Sequence, residues 1–99
     1  MRHLECFLAV GEERHFGRAA ERLGMEQPPL SQRIRRLEKE LGADLFDRTG
    51  GQVQLTPAGH VLMREAPGLL KQHQRMRTLV LRAAAADPVD PPRPWTEIY

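Results

Sequence analysis

Two amphipathic periodicities separated by three residues constrain this chain more than any other feature. In RAAERLGMEQPPLSQRIRRLEKELG, Ala19, Ala20 and Leu23 share one face of a short helix expected over residues 17–23. Gly17 is its expected N-cap, and Gly24 stands where a left-handed C′ residue belongs. After Met25 and Glu26, Leu30, Ile34, Leu37 and Leu41 recur at i, i+4, i+7 and i+11, a narrow arc of a second helix that ends at Gly42. Pro28 falls where helical N–H groups lack partners anyway, so it fixes the helix start at no cost in hydrogen bonds. A short helix, a Gly-led turn and a longer helix in series have the spacing of a helix-turn-helix.

The flanks complete the unit. Leu4, Phe7 and Leu8 predict a first amphipathic helix over residues 2 to about 12, with Cys6 as a half-buried packing residue beside that face. After Gly42, LFDRTGGQVQLT reads as two short strands around a tight turn. Leu45-Phe46 lie on one side, Gly50-Gly51 supply positive φ, and Val53 and Leu55 alternate with Gln52 and Gln54. Thr56-Pro57 is a helix start, with Thr as N-cap and Pro in the first turn. From there to about Ala86 a long helix follows. Leu62, Ala66, Leu69, His73, Met76, Val80 and Ala83 form a stripe spaced three and four apart, as in a coiled-coil seam. Pro67-Gly68 predicts a kink or break near residues 63–68. The segment DPVDPPRPWTEIY has four prolines in thirteen residues and reads as an extended tail carrying Trp95 and Tyr99.

The expected fold is therefore mainly α: a winged helix-turn-helix over 1–56, made of three helices plus a two-stranded wing. A long linker or dimerisation helix follows over 57–86, then a Pro-rich tail over 87–99. Ninety-nine residues hold one core. No apolar run approaches the roughly 20 residues of a spanning helix, MRHLECFLAV does not read as a signal peptide, and a lone cysteine points to the cytoplasm. Four scattered histidines and one cysteine match no metal or nucleophile spacing, so neither an enzyme nor a cofactor is expected.

Net charge gives little guidance. Fifteen Lys and Arg against thirteen Asp and Glu leave +2, and residues 1–56 carry nine of each sign. An anionic partner must be met by local placement. The tip of the long helix of the pair offers that placement. A helix end fits the major groove of B-DNA, where residues of its first two turns reach base edges. Gln27, Ser31 and Gln32 supply donors and acceptors, Arg35 a guanidinium fork, and Arg48 at the foot of the wing is placed for phosphate.

The run FGRAAERLGMEQPPLSQRIRRLEKELGADLFDR followed by VQLTPAG resembles the N-terminal winged helix-turn-helix of LysR-type transcriptional regulators. Shared residues include Ala19-Ala20, Leu23, Gln27-Pro28-x-Leu30-Ser31, Ile34-x-x-Leu37-Glu38, Leu41-Gly42, Leu45-Phe46-x-Arg48 and Leu55-Thr56-x-Ala58-Gly59. The resemblance implies sequence-specific binding of double-stranded DNA by a homodimer, in the cytoplasm and at the bacterial nucleoid. It implies base contacts by Gln27, Pro28, Ser31 and Gln32, and backbone contacts by Arg18, Arg35 and Arg48. It also implies antiparallel pairing of the linker helix, for which the seam nominates Leu62, Leu69, Met76 and Val80. The effector-binding domain of such regulators has no counterpart here, so the chain reads as a fragment or a naturally short regulator, with no small-molecule effector of its own.

Several positions depart from the pattern. Glu26 stands where Ser often caps, Gly17 where Thr or Ser often touches phosphate, and Gly51 and Gln54 where wing residues are frequently basic. These changes predict weaker DNA binding than typical members show and a heavy reliance on dimerisation. They also leave room for a rival reading, a winged-helix protein–protein adaptor that has lost DNA binding.

Overall fold

The computed structural model describes residues 2–49 and 52–86. The Gly50-Gly51 turn and the 87–99 tail, with Trp95 and Tyr99, lie outside the described residues. The order is α1 (Arg2–Glu13), α2 (Phe16–Leu23), α3 (Gln27–Leu41), β1 (Phe46–Asp47), β2 (Gln54–Leu55) and α4 (Pro57–Ala86). The strands pair antiparallel, Phe46 opposite Leu55 and Asp47 opposite Gln54. This is the three-helix, two-stranded wing and long helix expected from the sequence.

Each boundary has a local cause. Gly24 and Gly42 adopt φ of 65° and 72°, and their N–H groups return to carbonyls of the preceding turn. Thr56 caps α4 by accepting from the Gly59 N–H at 3.0 Å while its own hydroxyl donates to the Asp44 carbonyl. The start of α2 differs from expectation. The cap is His15, not Gly17: His15 is extended, and its Nδ1 accepts from the Arg18 N–H at 3.0 Å. Glycine has no side-chain acceptor, whereas an imidazole two residues earlier reaches the orphan N–H group.

The core lies where α1 packs on α2, α3 and α4. Phe7, Val10, Leu30 and Ile34 have no exposed surface, and Leu37, Leu45 and Phe46 have almost none. Cys6 is fully buried rather than half-buried. Leu41 leaves the expected stripe: it is 54% exposed, because the chain reverses at Gly42 and Leu45 and Phe46 fill the space below α3. Phe46 stacks on Phe7 with centroids 5.2 Å apart and meets Phe16 edge-on at 6.2 Å, which ties the wing to both α1 and α2.

The long helix divides in two. Its first half docks on the domain: Ala66 is buried, Leu62, Met63 and Leu70 pack against the core, and Met63 lies over the bare Cα of Gly11. Beyond Leu70 the helix stands clear, with Met76, Leu79, Val80 and Leu81 exposed, and Leu69 just before it is exposed as well. Helix α4 runs unbroken through Pro67 and Gly68. Ala66 and Leu70, one on each side, pack against the core, and of the expected kink or break the continuous helix excludes the break.

Candidate nucleic-acid interface

Helix α3 presents its N-terminus without a side-chain cap. Glu26 is extended at φ −81° and ψ 157°, and its carboxylate makes no capping bond. Its carbonyl accepts from the Leu30 N–H at a long 3.4 Å. Pro28 and Pro29 carry no N–H, so in the first turn of α3 the Gln27 N–H is the donor left without a helical partner. Gln27, Pro28, Gln32 and Arg35 are exposed and Ser31 is half-buried; Pro28, Gln32 and Arg35 lie opposite Leu30, Ile34 and Leu37, Ser31 at the edge of that face and Gln27 at the open first position of the helix. Among the described residues, none of the side chains of Gln27, Ser31, Gln32 and Arg35 has an intrachain hydrogen bond or ion pair. Four unpaired polar side chains on two successive turns form a surface suited to base edges and phosphates.

The other two expected cations are held in place by intrachain partners. Arg18 donates to the Glu13 carbonyl at 3.1 Å and lies 3.7 Å from its carboxylate. Arg48 sits 4.9 Å above the Phe16 ring and 3.7 Å from Glu38 Oε1. A guanidinium carries five N–H donors, more than stacking and one carboxylate engage. The three arginines do not form one cluster: Arg18 belongs to α2, Arg35 to α3, and Arg48 to the foot of the wing.

Two contributors escaped the sequence reading. Glu38 joins α3 to the wing, its Oε2 accepting from the Leu45 N–H at 2.8 Å and the Phe46 N–H at 3.4 Å. Its position next to Leu37, at the border of the apolar arc, was the available signal. His15 was the other, its signal being a polar aromatic just ahead of an Ala-rich helical run. At the wing, Asp47 Oδ1 accepts from both the backbone N–H (2.9 Å) and hydroxyl (2.6 Å) of Thr49. Those two bonds hold its carboxyl below the ordinary carboxylate range. Gln52 and Gln54 are exposed and uncharged on the described part of the wing, while Gly51 lies outside the described residues. Of the four residues nominated for the seam, Leu62 packs against its own core, and Leu69, Met76 and Val80 are 42%, 50% and 57% exposed.

This geometry has close counterparts. Residues 1–60 match the family described as bacterial regulatory helix-turn-helix protein, lysR family. The HTH-type transcriptional regulator AlsR of Bacillus subtilis is 46% identical over 87 residues, covering 88% of this chain and 29% of AlsR. ShiR of Corynebacterium glutamicum is 57% identical over 70 residues, covering 71% of this chain and 24% of ShiR. The chain thus spans less than a third of these two relatives. Among solved structures, the BenM DNA-binding domain on catB site 1 DNA superposes with a TM-score of 0.74 at 43% identity, covering 84% of this chain and 93% of that one. The CbnR DNA-binding domain–DNA complex gives 0.77 at 35% identity, covering 84% and 95%.

Proposed function

This chain belongs to the LysR family of bacterial helix-turn-helix regulatory proteins, and on that premise we propose that it binds specific double-stranded DNA sequences and acts in transcription regulation. Helix α3 is the reading element: Gln27, Pro28, Ser31 and Gln32 meet base edges, and Arg18, Arg35 and Arg48 meet the sugar-phosphate backbone. The observation that carries this reading is the unpaired polar tip of α3 on a fold that superposes on two DNA-bound domains. The protein-adaptor alternative is not favoured, because the curated relatives reported above are transcriptional regulators.

The active species in this reading is a homodimer paired through α4. The exposed stripe of Leu69, Met76 and Val80 supports it, since each such side chain is worth about 1.5–3 kcal/mol when fully buried. The 30-residue helix is about 45 Å long, far longer than the domain can cover. In this reading the chain is not an enzyme, works in the cytoplasm, and has no inducer response within these residues. No helix among the described residues is long and apolar enough to cross a membrane.

A mobility-shift assay on duplexes selected from a random pool tests the proposal. Ser31→Ala and Arg35→Ala should each weaken binding to the selected duplex, by about 1–3 kcal/mol where a base contact is lost. If neither variant differs from the wild type on that duplex, α3 is not the reader. A ligand-dependent change in the affinity of this chain would overturn the absence of an inducer response.

A further inference from the structure

Arg14 is the one non-glycine residue with positive φ among the described residues, at 54°. Its N–H closes the last turn of α1 on the Val10 carbonyl at 2.7 Å, and the chain then turns sharply into His15. Glycine or asparagine adopts this left-handed conformation with less strain, and glycine does fill the two equivalent positions after α2 and α3. The α1 dipole does not explain the arginine, since a cation one residue earlier would meet the same carbonyls without strain. Backbone strain of this kind persists where the side chain has a use.

The surroundings indicate the use. Arg14 lines a groove of about 600 Å³ together with His15, Gly17, Gln27, Gln52, Gln54 and a second arginine, Arg18. One wall is the start of α2, another the tip of α3, and the third the described part of the wing. Among the described residues the arginines of α1, α2 and the wing foot are paired: Arg2 with Glu5, Arg18 with Glu13, Arg22 with Glu12 and Glu13, and Arg48 with Glu38. Arg14 is exposed and has no such partner. Glu13, the acid that also borders the groove, is already engaged by Arg18 and Arg22. The groove thus holds one uncommitted cation among amide side chains, on the same face as the reading helix.

We propose that Arg14 is a phosphate anchor, gripping the DNA strand that passes between the α3 tip and the wing. It supplies at the α1–α2 corner the positive charge that Gln52 and Gln54 do not supply on the wing. This inference rests on the DNA-binding reading above. Its energetic signature is separable from base recognition, because a phosphate contact is sequence-independent and releases bound counterions.

The test uses the whole chain and the duplex that it selects from a random pool, with Arg14→Gly and Arg14→Lys. Each lost phosphate contact lowers the slope of log K against log salt by about 0.9, or roughly 2 for a dimer. At 0.15 M salt that slope corresponds to about a 5-fold loss per contact and about 30-fold per dimer. Arg14→Gly should show this loss while melting at or a few degrees above the wild type, because glycine relieves the strained backbone. Arg14→Lys should keep the wild-type slope. An unchanged slope in Arg14→Gly overturns the anchor while leaving DNA binding intact, as does Arg14→Lys falling as far as Arg14→Gly. A wild-type chain that selects no duplex overturns the underlying reading, and the anchor with it.

Discussion

Glu38→Ala should destabilise the fold far more than a half-buried surface carboxylate usually does. Its Oε2 accepts the Leu45 N–H at 2.8 Å, and Leu45 is 2% exposed, so water cannot readily replace the lost acceptor. A hydrogen bond to a charged group contributes about 1.5–3 kcal/mol, and stranding a buried N–H costs about 1–3 kcal/mol on its own. The bond to Phe46 at 3.4 Å is long and adds little, and the 3.7 Å pair with the partly exposed Arg48 adds less than about 1 kcal/mol. The sum is about 2–4 kcal/mol. For a domain of this size each kcal/mol moves Tm by roughly 4–8 °C, so a fall of about 8–30 °C is expected by circular dichroism. Glu38→Gln keeps a carbonyl acceptor but not the charge, and should lose about half as much. Amide exchange of Leu45 should accelerate in the alanine variant more than that of Val10, which lies in α1 away from the fastener. The reasoning fails if Glu38→Ala melts within about 2 °C of the wild type, or if Leu45 exchange does not change.

Three further outcomes follow from the same geometry. A Cβ on Gly59 would overlap the Leu45 carbonyl oxygen and press on Leu55 Cδ2 at 2.9 Å, so Gly59→Ala should cost about 1–3 kcal/mol in denaturant melts despite alanine's better helix propensity. Burial raises the Cys6 thiol above its ordinary value, so labelling by iodoacetamide at neutral pH should proceed only at the rate of global unfolding. The sign also fixes the alkaline limb: the native state disfavours the thiolate, so this contribution is complete below the unfolded value and is lost as pH rises through the folded one. Met76→Asp with Val80→Asp should give a monomer in sedimentation with an unchanged melting profile of the wing domain, and an unchanged dimer mass would refute pairing through α4.

What the sequence made legible follows from which forces act locally. The helices, the glycine stops after α2 and α3 and the Thr56 cap all depend on neighbours within a turn, so periodicity and cap chemistry placed them. Leu41 was misplaced because the helical wheel assigns it to the buried arc, while its burial depends on how far the opposing elements extend. Leu62, nominated for a partner, also packs on its own core for a related reason: one stripe on α4 serves two neighbours, the core up to Leu70 and the exposed face beyond. His15 and Glu38 stayed hidden because each acts through a backbone N–H, and such bonds leave no periodicity. The candidate site was legible in its tip, Gln27 to Arg35. Whether a given arginine is free or committed depends on acids brought near by the fold, as with Glu13 beside Arg18 and Glu38 beside Arg48.

Leu45 ties α3 to the start of α4. Its N–H is held by Glu38 of α3, its carbonyl accepts from the Thr56 N–H at 3.0 Å, and its side chain is buried in the core. Gly59 lies against that same carbonyl, so the first turn of α4 approaches the wing more closely than any side chain would permit. Asp44, one residue earlier, accepts the Thr56 hydroxyl that caps the helix. Four short-range contacts therefore connect α3 to the start of α4 through Asp44 and Leu45. In a dimer paired through α4, the two reading helices would inherit their separation from this junction. The wing tip could then vary in length without changing the spacing of the half-sites, whereas widening the Leu45–Gly59 contact would change it.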